Sequence, residues 1–110
     1  MLQIDNEELY YKLPSYRHNK FTQHTKENIV YKTMMFLGHR FFANELRLTA
    51  EKVFGLRLNN QTAGHGLRIL YENGYVTRER VVGTYVYYKT ELYSREINGW
   101  LQENEIIQYL

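Results

Sequence analysis

The sequence contains no cysteine, only one proline and no long apolar run. Without cysteine there are no disulfides, thiolate nucleophiles or zinc–thiolate sites. No stretch approaches the roughly 18 to 20 apolar residues that a membrane span requires. The first residues, MLQIDNEELYYK, lack the basic and apolar regions of a secretory signal, so we expect an intracellular protein.

Residues suited to catalysis or metal binding are also scarce. Ser15 and Ser94 are the only serines, and neither lies in a nucleophile-elbow motif. The segment Gly64-His65-Gly66 is only a fragment of a dinucleotide motif and does not follow a strand. The four histidines (His18, His24, His39 and His65) lack metal-ligand spacing. We therefore expect no enzymatic activity, no cofactor and no metal ion.

The charge is unevenly distributed along a chain of single-domain length. The net charge of the 110 residues is only +2, yet residues 12–89 carry thirteen Lys/Arg residues against five Glu. Residues 1–11 and 90–110 are each acidic, with a formal charge of −3. A basic centre between acidic ends is typical of a body that binds a polyanion. The alternative is an ordinary solvated surface on which the charges are segregated by chance.

Residues 1–24 are expected to form an ordered N-terminal arm, because aromatic residues are too frequent here for a disordered tail. Pro14 and the polar run RHNK argue against one continuous helix, so we expect only a short helix near residues 5–12. The arm would pack on the domain, on a partner subunit or on a second protein. Its aromatic residues are Tyr10, Tyr11, Tyr16 and Phe21.

A first helix is expected to begin at Thr25, which suits the N-cap position and is followed by Glu27 in the first turn. Gly38 could end this helix, or the helix could continue to Asn44, and the sequence leaves both open. Its buried stripe would comprise Ile29, Val30, Thr33, Met34 and Leu37.

The next segment predicts a short strand and a brief helix. Leu46-Arg47-Leu48 alternates as a strand would. Thr49 would then cap a helix that reaches Phe54, with Gly55 as its left-handed stop.

Residues 56–90 are the most informative part of the chain and predict a turn, a helix and a hairpin. Asn59 suits the N-cap of a helix that ends at Asn73-Gly74. The inward face of this helix would comprise Ala63, Leu67 and Leu70. Strands over 75–82 and 84–90 are rich in β-branched and aromatic residues, and Val82-Gly83 suits the turn between them.

Gly64 and Gly66 are unusual inside this helix, because each costs about 1 kcal/mol relative to alanine. They could let the backbone approach a ligand closely, with His65 exposed between them. Alternatively, they reflect a loosely formed helix start or close packing against the preceding helix. The sequence alone does not decide between these.

The run from Thr49 to Thr90 resembles the winged helix-turn-helix of small prokaryotic, archaeal and viral regulators of the multiple-antibiotic-resistance and arsenic-repressor type. The resemblance is also compatible with centromere-binding adaptors of the plasmid type III segregation class. It implies an α+β fold over residues 25–90, with a three-helix core, a β-hairpin wing and a C-terminal dimerisation helix over 91–110. The residues that carry it are Leu58-Asn59, Leu67, Leu70, Glu72-Asn73-Gly74-Tyr75-Val76, Gly83, Tyr87 and Thr90.

DNA contact is the chemistry that this resemblance implies. Asparagine and glutamine can pair with adenine edges and arginine with guanine edges in the major groove, while wing cations meet phosphates or the minor groove. The alternative for the wing is a solvated hairpin whose charges only protect an edge strand. The candidate DNA-binding residues are Asn60, Gln61, Thr62, His65, Arg68, Arg78, Arg80, Thr84 and Lys89.

The last helix is expected to form a homodimer, because its apolar stripe would otherwise leave an exposed patch. The alternative is that it packs on the first helix of its own chain. The candidate interface residues are Ile97, Trp100, Leu101 and Ile107.

The function expected from these features is sequence-specific binding of double-stranded DNA by a homodimeric transcriptional regulator. A plasmid or phage segregation adaptor and a winged module used only for protein–protein contact are the alternatives. Single-strand stacking on some of the eleven tyrosines is a further alternative, although their alternation in the wing places at least one face in a core.

Overall fold

The computed structural model describes residues 4–16 and 22–104. No helix within these residues is both long enough and apolar enough to cross a membrane. A three-residue 3₁₀ turn, Met34–Phe36, prolongs the second helix. In chain order the elements are α1 (Glu7–Lys12), α2 (Lys26–Thr33), β1 (Arg40–Phe42), α3 (Ala43–Phe54), α4 (Asn60–Glu72), β2 (Val76–Val81), β3 (Thr84–Lys89) and α5 (Glu91–Asn104).

Helix α2 lies at the centre of the domain, and every residue from Asn28 to Met34 is buried. Thr25 occupies its N-cap position as predicted, but the Thr25 hydroxyl donates to the carbonyl of Thr22 and caps no α2 amide. The α-helix ends at Thr33, well before Gly38. The option of a helix that continues to Asn44 is therefore wrong, because residues 40–42 are drawn into the sheet.

Strand β1 is Arg40–Phe42, so the prediction of a strand at Leu46-Arg47-Leu48 is wrong. Phe41 pairs with Tyr87 of β3, which places a buried ring from each strand side by side. Leu46 lies inside α3, because it shares four-residue spacing with buried Ala50 and Phe54. The Glu45 carboxylate also accepts the Phe42 N–H at 3.0 Å and fixes the start of α3. Thr49 is consequently a mid-helix residue and not a cap.

Local signals around α4 predicted its ends correctly. The Asn59 side chain accepts the Thr62 N–H at 2.7 Å and caps the helix. Gly55 and Gly74 both have positive φ, at 70° and 86°, and end α3 and α4. The inward residues Ala63, Leu67 and Leu70 are fully buried, as predicted.

The sheet is antiparallel with strand order β1-β3-β2. Strands β2 and β3 form the wing hairpin, in which Val76 pairs with Lys89 and Val81 with Thr84. Val82 and Gly83 connect them, both with positive φ, as a two-residue turn of this handedness requires. The predicted turn position is therefore correct.

The N-terminal arm packs on the domain in the described residues. Its helix α1 lies within the predicted range 5–12. Ile4, Tyr10 and Leu13 join Phe54 in a second apolar cluster beside the main core, whereas Phe21 lies outside the described residues. The arm therefore completes part of the domain interior.

Lys32 fastens this arm, although no sequence pattern marked it. Its side chain is fully buried, lies 4.3 Å from the centre of the Tyr10 ring and donates to the carbonyls of Tyr10 and Leu13. Burial lowers the pKa of the Lys32 ammonium to about 8.

Candidate nucleic-acid interface

The outward face of α4 carries a continuous polar stripe. Asn60, Gln61, His65 and Arg68 are exposed along it, and Thr62 is half-buried beside the cap. The buried residues of the same helix, such as Leu67, occupy its opposite side. The stripe thus presents amides, an imidazole and a guanidinium, which are groups able to pair with base edges or phosphates.

Arg47 of α3 holds the start of this stripe in place. Its guanidinium donates to the Leu58 carbonyl at 2.8 Å and to the Asn60 side-chain oxygen at 2.8 Å. It also contacts the Asn44 side chain at 3.1 Å. The alternation Leu46-Arg47-Leu48 predicts a strand, so the sequence did not mark Arg47 as part of this network. The network ties α3, the turn and the first residue of α4 together, so that Asn60 is orientated before any ligand arrives.

The two helix glycines have different environments. A β-carbon on Gly66 would lie 2.7 Å from the Val30 side chain and 2.8 Å from the Lys26 carbonyl oxygen, so Gly66 permits the close crossing of α2 and α4. A β-carbon on Gly64 would meet no atom within 4 Å. Close packing therefore accounts for Gly66, although it is against α2 and not against the preceding helix α3. Gly64 leaves a bare stretch of backbone within the polar stripe.

A shallow groove of about 440 Å³ runs along this bare stretch. Its lining includes one residue from outside α4, namely Lys26 at the start of α2. The Lys26 Nζ lies 3.4 Å from His65 Nδ1. No carboxylate lines the groove, whose residues are Lys26, Asn60, Gln61, Gly64, His65 and Arg68.

The wing adds two arginines that share one face of β2. The Arg78 guanidinium lies over the rings of Tyr71, at 4.1 Å, and Tyr85, at 4.5 Å, and so connects the wing to the end of α4. Arg80 is exposed and lies 5.7 Å from the centre of the Tyr85 ring. Thr84 is exposed immediately after the turn. These side chains extend the cationic surface beyond α4.

Val82 at the wing tip has an unusual conformation that sequence analysis did not anticipate. It is 99% exposed and has a φ of 45°, which β-branched residues rarely adopt. Its backbone strain is the cost of a tight turn whose first central position would suit asparagine better.

The Lys89 side chain is half-buried, and its ammonium is held by its own chain. Its ammonium donates to the Leu37 carbonyl at 2.7 Å and lies 5.6 Å from the Tyr93 ring. Burial lowers the pKa of this group. The Lys89 side chain therefore fastens β3 to the segment before β1.

Helix α5 packs on its own chain along part of its apolar stripe. Ile97 is buried in the main core, and the Tyr93 hydroxyl donates to the Tyr31 carbonyl of α2 at 2.8 Å. Trp100 and Leu101 remain half-exposed while touching the two apolar clusters. Ile107 lies outside the described residues.

One carboxylate of α5 connects this helix to α2 and to the turn after α4. Glu96 accepts the Tyr31 hydroxyl of α2 at 2.7 Å and the Tyr75 hydroxyl, just after α4, at 2.9 Å. Burial is the main cause that raises the pKa of Tyr75 to about 12, and the bond to Glu96 adds to it. Many tyrosine rings therefore pack within the domain and do not form an open platform on which bases could stack.

Within residues 4–16 and 22–104, no cluster of three or more His, Asp or Glu side chains could hold a metal ion.

Two solved structures share this arrangement of elements. F93 from STIV, described as a winged-helix DNA-binding protein, is 19% identical with a TM-score of 0.56, covering 72% of this chain and 87% of that one. SSV1 F-93 is 14% identical with a TM-score of 0.54, covering 87% and 98% respectively. No family model and no curated protein matches the chain. At these identities the likeness establishes the fold, and the predicted α+β winged helix-turn-helix is confirmed.

Proposed function

We propose that this chain is an intracellular, non-enzymatic protein that binds double-stranded DNA as a homodimer and regulates transcription. Helix α4 would enter the major groove, and the wing would contact the backbone or the minor groove. The proposed contacts are Asn60, Gln61, Thr62, His65 and Arg68 from α4, together with Arg78, Arg80 and Thr84 from the wing.

One observation carries this proposal, namely a polar stripe on α4 from Asn60 to Arg68, along a groove that no carboxylate lines, beside a wing that carries Arg78 and Arg80. Gln61 and Arg68 offer the side-chain groups that pair with adenine and guanine edges, whereas Arg80 offers a charge for phosphates. A solvated helix face would ordinarily mix these groups with acids, and the groove along α4 contains none. The fold likeness to F93 from STIV, described as DNA-binding, adds independent support.

The homodimer part of the proposal rests on helix α5. Ile97 is buried within its own chain. Of the candidate interface residues that the structure describes, Trp100 and Leu101 are therefore the two with partly exposed side chains. A two-fold pair would place two α4 helices at half-sites about one helical turn apart. Sedimentation at micromolar concentration should give twice the 13.3 kDa chain mass, and Trp100→Ala should shift it toward the monomer. A wild-type monomer bound to DNA would contradict the dimer alone.

Selection of sites from a random duplex library tests the function directly. We expect enrichment of one sequence, and an affinity that falls steeply with salt because phosphate neutralisation releases counterions. Absence of duplex binding at low salt would contradict the proposal and favour a protein–protein module. Binding that requires clustered repeats would favour a segregation adaptor over a transcriptional regulator.

Two substitutions separate base reading from phosphate contact. Gln61→Ala should cost roughly 1 to 3 kcal/mol on the selected site and little on random duplex. Arg80→Ala should weaken both and reduce the salt slope by about 1 for each bound chain. Arg95→Ala is the control, because Arg95 is exposed on α5 and pairs with Glu91 at 3.4 Å. If the first two variants bind like this control, the assigned surface is incorrect.

A further inference from the structure

The contact between Lys26 and His65 brings together two basic side chains that lie 39 residues apart. Both are exposed, and they come from different helices, α2 and α4. Among the described residues, no carboxylate lies within ion-pair distance of Lys26, His65 or Arg68. Glu27, next to Lys26 in sequence, does not line the groove that they share. The groove therefore concentrates positive charge with no internal counterion.

The hydrogen-bonding state of this pair suits an anion. An ammonium group can only donate, so the Lys26–His65 contact requires Nδ1 of His65 to accept. The remaining imidazole proton is then on Nε2, and the pair presents only N–H donors to a ligand. Arg68 adds a guanidinium on the same groove wall. An oxyanion with several acceptor atoms, such as a phosphate, matches a set of donors of this kind.

The floor of the groove is open at Gly64, where the backbone of a nucleic-acid strand could lie. Gly64 has no side chain, and a β-carbon there would meet no atom within 4 Å. A nucleic-acid backbone could therefore approach the α4 main chain between Lys26 and Arg68. Gly66 contributes indirectly, because its missing β-carbon brings the start of α2 against α4 and so places Lys26 beside the groove.

We infer that Lys26, outside the helix-turn-helix and wing, binds one backbone phosphate of the DNA duplex in the groove beside Gly64, together with His65. This contact rests on the proposed function and deepens it, because it commits the bound strand to pass along the start of α2. The DNA surface is then formed by two crossed helices and the wing, and not by α4 and the wing alone.

The test compares Lys26→Gln with Lys12→Gln on the selected duplex. Lys12 is also exposed but pairs with Glu8 on α1, so the two variants lose the same charge at different places. Because a bound homodimer carries two copies of Lys26, Lys26→Gln should bind roughly 25-fold more weakly at 0.15 M salt, about fivefold for each phosphate contact, and its salt slope should fall by about 1.8, the value for two phosphates. Lys12→Gln should match the wild type in both measurements. Unfolding curves confirm that each variant folds.

A scan with single methylphosphonates locates the contact. At one phosphate per half-site, neutralisation should weaken the wild type about fivefold and leave Lys26→Gln unaffected, whereas other contacted phosphates should weaken both proteins equally. If no phosphate behaves in this way, or if both lysine variants lose equally, the contact is refuted while duplex binding stands. If the wild type binds no duplex, the proposed function fails and the contact fails with it.

Discussion

Alanine at Gly64 and at Gly66 should have opposite effects on stability, which makes the two variants a matched test of the α4 geometry. The substitutions are chemically identical and lie two residues apart in one helix. At Gly64 the new methyl group meets no atom within 4 Å, so the helix gains about 1 kcal/mol of propensity at no packing cost. The melting temperature should rise by roughly 4 °C for a chain of this size.

At Gly66 the new methyl group would lie 2.8 Å from the Lys26 carbonyl oxygen and 2.7 Å from the Val30 side chain. The carbonyl belongs to helix backbone and cannot rotate away as a flexible side chain would. Overpacking of this kind costs about 1 to 3 kcal/mol, which outweighs the gain in propensity. Urea unfolding should therefore show Gly66→Ala to be less stable than the wild type.

Gly64→Ala should stabilise the fold but weaken DNA binding. If a DNA strand approaches the bare backbone there, the more stable variant should bind the selected duplex about tenfold more weakly, a loss of about 1.4 kcal/mol. Fluorescence anisotropy with labelled duplex measures this. Wild-type affinity in Gly64→Ala would refute the close approach, and a Gly66→Ala protein as stable as Gly64→Ala would refute the close helix crossing.

Three further outcomes follow from the fold. Because the pKa of Lys32 is about 8 in the folded chain and 10.5 in the unfolded one, the unfolded chain holds the extra proton between these values. The free energy of unfolding in urea should therefore rise from pH 8 to about 10, and Lys32→Met should reduce this rise. A free energy of unfolding that does not change with pH in the wild type would contradict this expectation. Asn59→Ala should cost about 1 kcal/mol in thermal unfolding, because the Thr62 N–H loses its cap, and an unchanged melting temperature would contradict that role. Val82→Asn should raise the melting temperature by a few degrees, because asparagine tolerates positive φ, and Val82→Ile, which keeps the strain, is its control.

The sequence predicted α4 and the wing well because their signals are local. The Asn59 cap, the Gly74 stop and the spacing of Ala63, Leu67 and Leu70 all lie within fifteen residues of one another. Val82-Gly83 marked the turn for the same reason. Boundaries of this kind depend on backbone geometry that each residue type favours by itself.

The first strand and the Lys26 contact were missed because they depend on distant parts of the chain. Strand β1 exists through its pairing with β3, in which Phe41 lies opposite Tyr87. Lys26 reaches the groove only because Gly66 lets α2 and α4 cross closely. Lys32 gave no signal, since its partners are backbone carbonyls that any sequence would provide.

The apolar cluster beneath the arm determines how far the chain can be shortened. Ile4, Tyr10 and Leu13 share one apolar cluster with Phe54, at the end of α3, and Leu58, in the turn before α4. The Asp5 amide also donates to the Phe54 carbonyl at 2.9 Å. A fragment that begins at Thr25 would expose this cluster to water and lose the support beneath the turn. The smallest piece that holds α4 in position therefore includes the arm, although the winged-helix motif itself begins some twenty residues later.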